Sequence, residues 1–467
     1  PATNAGTVTL NAANGTVQLG LPTDTTQTSL SSSAGVSAGA AGAVTIRGAA
    51  IDLGDALVAT TVAGSTPSTT RGTIVLDANG GSGALTVANS TLNATTSGAT
   101  QAGEIDLLGN PIVISNSTIS SKTTGTAAAG SICVGSGTAC VPAAAVVTSA
   151  PRSVIHAPAA SPGSIAISAS TLSTSTSTSG NAGNIDVIST GALALSAATI
   201  ESQSTSPSPT NAGTVGIITL TGAPVSITNH SLVSTTSVGN FVPGETSGGG
   251  TAPPATTPGT AITINSTGGV PLQISDSSVN ASAGLANGSN IAVNAGGGPI
   301  ELQGSTLLAS ANAGNGGNIT INDAGNTTLQ QSGILARATA GNGGAINIKL
   351  NKGAVFVEDA ASLVSATSQT GNNGTVTISG PQTNFQSSLY VPEVSAAKPP
   401  ELSANACQRD SSHSTFVREG QGGVAPAPDD YVTGRAAGAP AGESAALRGG
   451  PTPALAANSP VRLAGCK

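Results

Sequence analysis

Apolar residues along this chain recur in i, i+2 triplets around a polar residue, each bounded by Gly, Asn or Ser. Ile319-Thr320-Ile321 and Ile346-Asn347-Ile348, each behind its own Gly-Gly, lie 27 residues apart. A period of two sends successive side chains to opposite faces and reads as strand. The second apolar residue of each triplet serves as a marker, giving Leu10, Ile46, Leu76, Leu107, Val134, Val187, Ile217, Ile264, Val293, Ile321, Ile348 and Ile378. Most intervals are 27 to 31 residues, and three are longer, at 36, 53 and 47. The last two contain Pro-, Gly- and Ala-rich stretches, at about residues 135–161 and 239–258, which read as loops extruded from a regular unit.

A second triplet ends at Val87, Ile114, Ile167, Leu195, Ile227, Ile274, Leu302 or Leu329. Five residues later comes a third apolar position: Leu92, Ile119, Leu172, Ile200, Leu232, Val279, Leu307 or Ile334. No stretch shows the i, i+3, i+4, i+7 spacing of a helix. Three short strands per repeat, a dozen times over, predict an all-β fold: a right-handed parallel β-helix with three strands per coil and about twelve coils. Coils stacked about 4.8 Å apart give a rod on the order of 55 Å long. Inward Ile, Val and Leu form columns, outward positions take Thr, Asn, Asp and Ser, and stability comes from contacts between neighbouring coils. Glycines at the corners allow φ > 0 where the chain turns. A β-sandwich would not keep a fixed offset across long insertions, and collagen needs glycine at every third position.

Composition narrows the class. Of 467 residues, 62 are glycine, 38% are hydrophobic, 7% charged and 1% aromatic. That is too apolar and too patterned for ordinary disorder, and too poor in aromatics for a compact enzyme core. A net charge of −7 argues against a nucleic-acid partner, which requires clustered Lys and Arg. No apolar run reaches the length of a transmembrane segment, and no signal peptide is visible. The chain lacks methionine and starts at Pro1 inside a running repeat, so an N-terminal part carrying any export signal is expected to precede it.

Beyond Ile378 the pattern stops. Residues 381–434 read as a C-terminal cap that covers the open edge of the last coil with Phe385 and Tyr390. Residues 435–467 read as a low-complexity, partly disordered tail. The shaft is therefore 1–380.

Candidate chemistry is sparse. β-Helical polysaccharide-cleaving enzymes need clustered carboxylates. Asp106 and Asp186 both occupy the middle of a first triplet, but at least two coils apart and without a basic neighbour, so both read as solvated outward side chains. Asp429-Asp430 reads as a turn. His156 falls in an insertion, His230 in a corner and His413 in the tail, without metal-ligand spacing. The "GNGG" runs lack the Lys-Ser/Thr of a phosphate loop, and no G-x-S-x-G elbow occurs. No metal or cofactor is expected. Asn-x-Ser/Thr triplets at Asn89, Asn93, Asn116 and Asn318 carry glycans only if the source has a suitable transferase. Four cysteines suggest two disulfides in an oxidising compartment: Cys133 with Cys140 at the root of the first insertion, and Cys407 with Cys466 across the tail. Free thiols are the alternative.

The tail "CQRDSSHSTFVREGQGGVAPAPDDY", residues 407–431, carries Cys407, Phe416, Val417, Gly420, Gly422, Gly423, Pro426 and Pro428. This phrase resembles the C-terminal signature of filamentous-haemagglutinin-like exoproteins of Gram-negative bacteria, with Gln421 where that pattern often has Arg. The repeats ahead of it are similar to the shaft of the same family. The resemblance implies a non-enzymatic adhesin of the two-partner secretion type, exported through an outer-membrane pore and released or held at the cell surface. Some relatives keep a C-terminal disulfide loop as an anchor, which Cys466 would fit. Its receptor would be on host cells, matrix or glycans, with the two insertions as carriers of specificity. A passive spacer projecting the preceding part, and a polysaccharide-active enzyme, are the alternatives.

Overall fold

The computed structural model describes residues 5–20, 27–35, 42–64, 71–136, 163–206, 213–238 and 259–380. The chain divides into two compact units, Pro1–Leu389 and Tyr390–Lys467. All described residues belong to the first, which is a parallel β-helix. Its strands form one 21-stranded and one 11-stranded sheet. The larger sheet holds two walls, joined because Val8–Leu19 and Val44–Gly54 each run through the corner as one strand. The smaller sheet is the third wall, with one strand per closed coil. The first wall has one strand more, Thr375–Ser379.

The columns follow the markers. Leu107 pairs with Val134, Val134 with Val187, and the series continues through Leu220, Ile264 and Val293. On the second wall Ile114, Ile167, Leu195, Ile227 and Ile274 stack, and on the third Leu92, Ile119, Leu172 and Ile200. These side chains are fully buried in one continuous core. Each Ile or Leu so buried contributes roughly 1.5–3 kcal/mol. One column is interrupted: Thr327 follows Leu272 and Ile300, and its Oγ1 is buried without a partner. Thr327→Val keeps the shape and removes that orphan. It should raise stability by about 1 kcal/mol, seen as a higher urea midpoint at unchanged slope. A lower midpoint would refute the point.

Two markers are corrected. Ile217 is half-buried, while Ile218 and Leu220 are the inward residues, paired with Ile185 and Val187. The run "GIITL" can alternate in either phase, and the phase that continues the columns below prevails. Likewise Leu232 is partly exposed and Val233 takes the inward place between Ile200 and Val279. Here two successive left-handed residues, Asn229 and His230 (φ 57° and 60°), lengthen the corner by one.

The five-residue offset has a backbone cause. Between second and third walls one residue turns through positive φ: Asp55, Asn89, Asn116, Ala169, Ala197, Asp276, Gly304 or Gln331. Asn and Asp tolerate that region, whereas Ala does so at a cost. The next residue is small and buried, usually serine, and the serines form an internal ladder. The Ser90 N–H donates to Ser117 Oγ at 3.0 Å, and that of Ser117 to Ser170 Oγ at 3.0 Å. The Ser277 and Ser305 N–H groups continue it to Ser305 and Ser332, each at 3.1 Å. Each Oγ also donates to the carbonyl two residues back, as Ser117 does to Ser115 at 2.7 Å. Ala198 breaks the ladder once.

Several corner glycines do take positive φ, among them Gly268, Gly296 and Gly304, but the glycine just before the first wall serves a different purpose. A Cβ on Gly130 would lie 2.0 Å from the Gly103 carbonyl oxygen, and one on Gly183 2.0 Å from that of Gly130. Gly216 meets Gly183 and Gly344 meets Gly317 in the same way, at 2.0 and 1.9 Å. Successive backbones touch here, and at these four glycines a Cβ has no room. Inward hydroxyls of the third wall complete the corner: the Gly130 N–H donates to Ser121 Oγ at 2.8 Å, and Thr174 Oγ1 donates to the Gly183 carbonyl at 2.6 Å.

The cap at 381–434, the tail at 435–467 and both insertions beyond Ser136 and Val238 lie outside the described residues, as does every residue of the 407–431 phrase.

Candidate functional site

Asp106 and Asp186 are not the solvated side chains their outward register suggested. They are 1% and 8% exposed, and both hold polar partners. Cys133 lies between them, paired with Asp106 on one side and Asp186 on the other, and is fully buried beside Leu108. The outward positions of these three strands, with Ile188, are covered, whereas the same column is partly exposed at Val75 and Thr219. Alternation identifies the face of a sheet a residue takes, not what lies over that face. The two carboxylates are thus separated by a rung rather than paired. No cysteine among the described residues is free; Cys140, Cys407 and Cys466 lie outside them.

The remaining predicted residues scatter. His230 serves the lengthened corner, its N–H donating to the Asp276 carbonyl at 2.7 Å. His156, His413, Asp429 and Asp430 lie outside the described residues. Asn89 and Asn116 make left-handed turns, while Asn93 accepts a hydrogen bond from Ser120 at 2.9 Å. Among the described residues no three His, Cys, Asp or Glu converge on a possible metal position. Among the described residues the ion pairs Arg47–Asp77 at 3.5 Å and Arg71–Glu104 at 3.8 Å tie neighbouring coils and are worth at most about 1 kcal/mol each.

A more organised feature lies toward the other end. Successive coils enter the first wall through Asn287-Gly288-Ser289-Asn290, Asn315-Gly316-Gly317-Asn318, Asn342-Gly343-Gly344-Ala345 and Asn372-Asn373-Gly374-Thr375. Each first asparagine accepts the backbone N–H of the next through Oδ1: Asn315 to Asn287 at 2.9 Å, Asn342 to Asn315 at 2.8 Å, Asn372 to Asn342 at 2.9 Å. A second row runs three residues along, with the Asn318 and Ala345 N–H groups donating to Asn290 and Asn318, both at 2.8 Å. Between the rows the floor is bare backbone. A Cβ on Gly316 would meet Gly344 N at 2.9 Å, and one on Gly343 the Ala366 oxygen at 2.5 Å. The result is an open groove lined by Asn287, Asn315, Asn318, Asn342, Thr375 and glycines, with no charged or aromatic side chain. Sequence reading met this phrase as "GNGG" and tested it only against phosphate loops. The usable signal was the return of Asn to one position on four coils.

Asp359, an exposed carboxylate, is held by hydrogen bonds at its corner. The Ser362 hydroxyl, donating to Asp359 at 2.6 Å, holds that carboxyl below its ordinary value, helped by the Gln331 N–H at 3.0 Å. A depressed folded-state value stabilises the corner above the unfolded value, and the contribution is lost as pH falls through the folded one. Amide exchange at Gln331 should therefore accelerate below about pH 4 relative to interior amides, and Asp359→Asn should abolish the difference.

Among the described residues no helix is long and apolar enough to cross a membrane. No family model, no curated protein and no solved structure matches the chain.

Proposed function

We propose that this chain is the shaft of an attachment protein of the filamentous-haemagglutinin type, secreted or held at a bacterial outer surface. The observation that carries the reading is register. Coils stack in register, so that outward polar residues such as Ser120 and Ser173, or Asn294 and Asn322, lie directly over one another; weak contacts repeated along such a surface add up to avidity. The resemblance of residues 407–431 to the signature of such exoproteins supports the same reading. Its export partner would be an outer-membrane two-partner-secretion pore, and it has no catalytic role. Cys133–Cys140 and Cys407–Cys466 are the disulfides of the mature chain. Intact-mass analysis with and without reductant tests this, and equal alkylation in both samples would refute it.

Adhesion of the full chain to cells, extracellular matrix and a glycan panel is the test of function. Binding above background that weakens when 239–258 is deleted supports an attachment shaft with a specificity loop. Binding to nothing in the panel overturns the reading and leaves a passive spacer.

A further inference from the structure

We infer that the corner at His230 and Asp276 binds a divalent transition-metal ion such as Zn²⁺, through one imidazole nitrogen and one carboxylate oxygen. The site stands independently of the attachment reading above. The regular repeat breaks at this point. The other left-handed corners between the second and third walls use one residue each, whereas Asn229 and His230 are both left-handed. The extra residue sets His230 on the rung beside Asp276, and its N–H donates to the Asp276 carbonyl at 2.7 Å. Both residues are exposed and both have positive φ, 60° and 47°, so their side chains leave the corner in the same sense. No hydrogen bond or ion pair to a described residue engages the imidazole or the carboxylate. Together they line an open cavity of about 420 Å³, whose walls include Leu232, Ser278 and Thr306. The rung beyond contributes Gly304, where a Cβ would lie 2.5 Å from Asp276 Oδ1 and crowd the carboxylate.

One nitrogen and one oxygen donor on neighbouring rungs are the elements of a chelate. Rungs are about 4.8 Å apart. An ion held ~2.1 Å from each donor brings the two donor atoms to roughly 3.4 Å, a span that side-chain rotation covers. Imidazole suits Zn²⁺, Cu²⁺ and Ni²⁺, while Ca²⁺ and Mg²⁺ require a shell of oxygens that one carboxylate does not supply. Two protein donors leave coordination positions open to water, for which the Ser278 and Thr306 hydroxyls in the same cavity are hydrogen-bond partners. Binding is therefore reversible, and weaker than at a four-ligand structural site. The pair is hidden in the sequence because its members stand on either side of the second insertion.

The test is a zinc titration of the full chain, followed by NMR of isotope-labelled histidine. The chain has three histidines, so each imidazole is assigned by replacing it in turn. Zinc should shift the His230 resonances along a saturable single-site curve, and calcium at the same concentration should leave them in place. Asp276→Asn removes the anionic donor and keeps a residue that tolerates positive φ. It should melt at the wild-type temperature and weaken zinc binding at His230 at least ~10-fold, a change that reads directly in Kd. Asp55→Asn is the control, because Asp55 (φ 52°) holds the same corner place without a histidine on a neighbouring rung. Its substitution should leave Kd unchanged. The inference is overturned if zinc moves only His156 or His413, or none of the three. It is equally overturned if calcium shifts His230 as much, if Asp276→Asn binds as tightly, or if Asp55→Asn weakens binding to the same extent.

Discussion

Gly183→Ala should destabilise the rod by about 3 kcal/mol or more, although it adds one methyl group at a residue with ordinary φ. The new carbon would lie 2.0 Å from the Gly130 carbonyl oxygen, 2.5 Å from its carbon and 2.9 Å from Ser131 N. All three are backbone atoms and cannot rotate aside. Nor can the coil slide, because the Ile185 N–H is held by the Ile217 carbonyl at 2.9 Å and Ile132 pairs in register with Ile185. In a stack where each coil contacts only its neighbours, the damage stays local. The urea transition should therefore split in two, with protease cleavage appearing near residue 183 first. Gly35→Ala is the control, since its Cβ would meet nothing within 4 Å. Equal midpoints for the two variants would show that the corner has room that its geometry denies.

Ile200→Ala should remove about 2–5 kcal/mol, because the side chain is fully enclosed between Leu172 and Val233 and a cavity would remain. Ile378→Ala deletes the same atoms at the last described rung, where the residue is only partly buried against the core. No closed cavity forms there, and the loss should be about 1 kcal/mol or less. Paired denaturation curves check this, and a comparable loss at both positions would mean that the columns do not close at residue 378.

Much of the architecture was legible because a β-helix writes itself in one dimension. Eleven of the twelve first-wall markers, all but Ile217, stand in their column, with Leu10 and Ile378 packed against the core at its two described ends. The two failures, Ile217 and Leu232, share a cause: each lies beside a second apolar residue, so period two fits either phase and only the neighbouring coil decides. The offset of five was visible, but its mechanism was not. Nothing local reveals that Asn89 and Asn116 turn through positive φ so that Ser90 and Ser117 can bond across coils. Corner glycines were assigned to positive φ, which holds at Gly268, Gly296 and Gly304, whereas at Gly130, Gly183, Gly216 and Gly344 contact between backbones one coil apart is the reason. Site chemistry was the least legible. Asp106 and Asp186 were placed on the correct face, yet their burial depends on what covers that face. The groove is built from residues 27 to 30 positions apart, each unremarkable where it stands.

The amide ladder also governs how the protein ages. Asn287-Gly288, Asn315-Gly316 and Asn342-Gly343 are dipeptides prone to deamidation, in which the glycine nitrogen attacks the preceding side-chain carbonyl and expels ammonia. In the folded rod that nitrogen is engaged: Gly288 donates to Asn315 O at 2.7 Å, Gly316 to Asn342 O and Gly343 to Asn372 O, both at 2.8 Å. The reaction must wait for a coil to open, so its rate records local fraying. Its products are aspartate and isoaspartate, so an old molecule would gain negative charge one rung at a time.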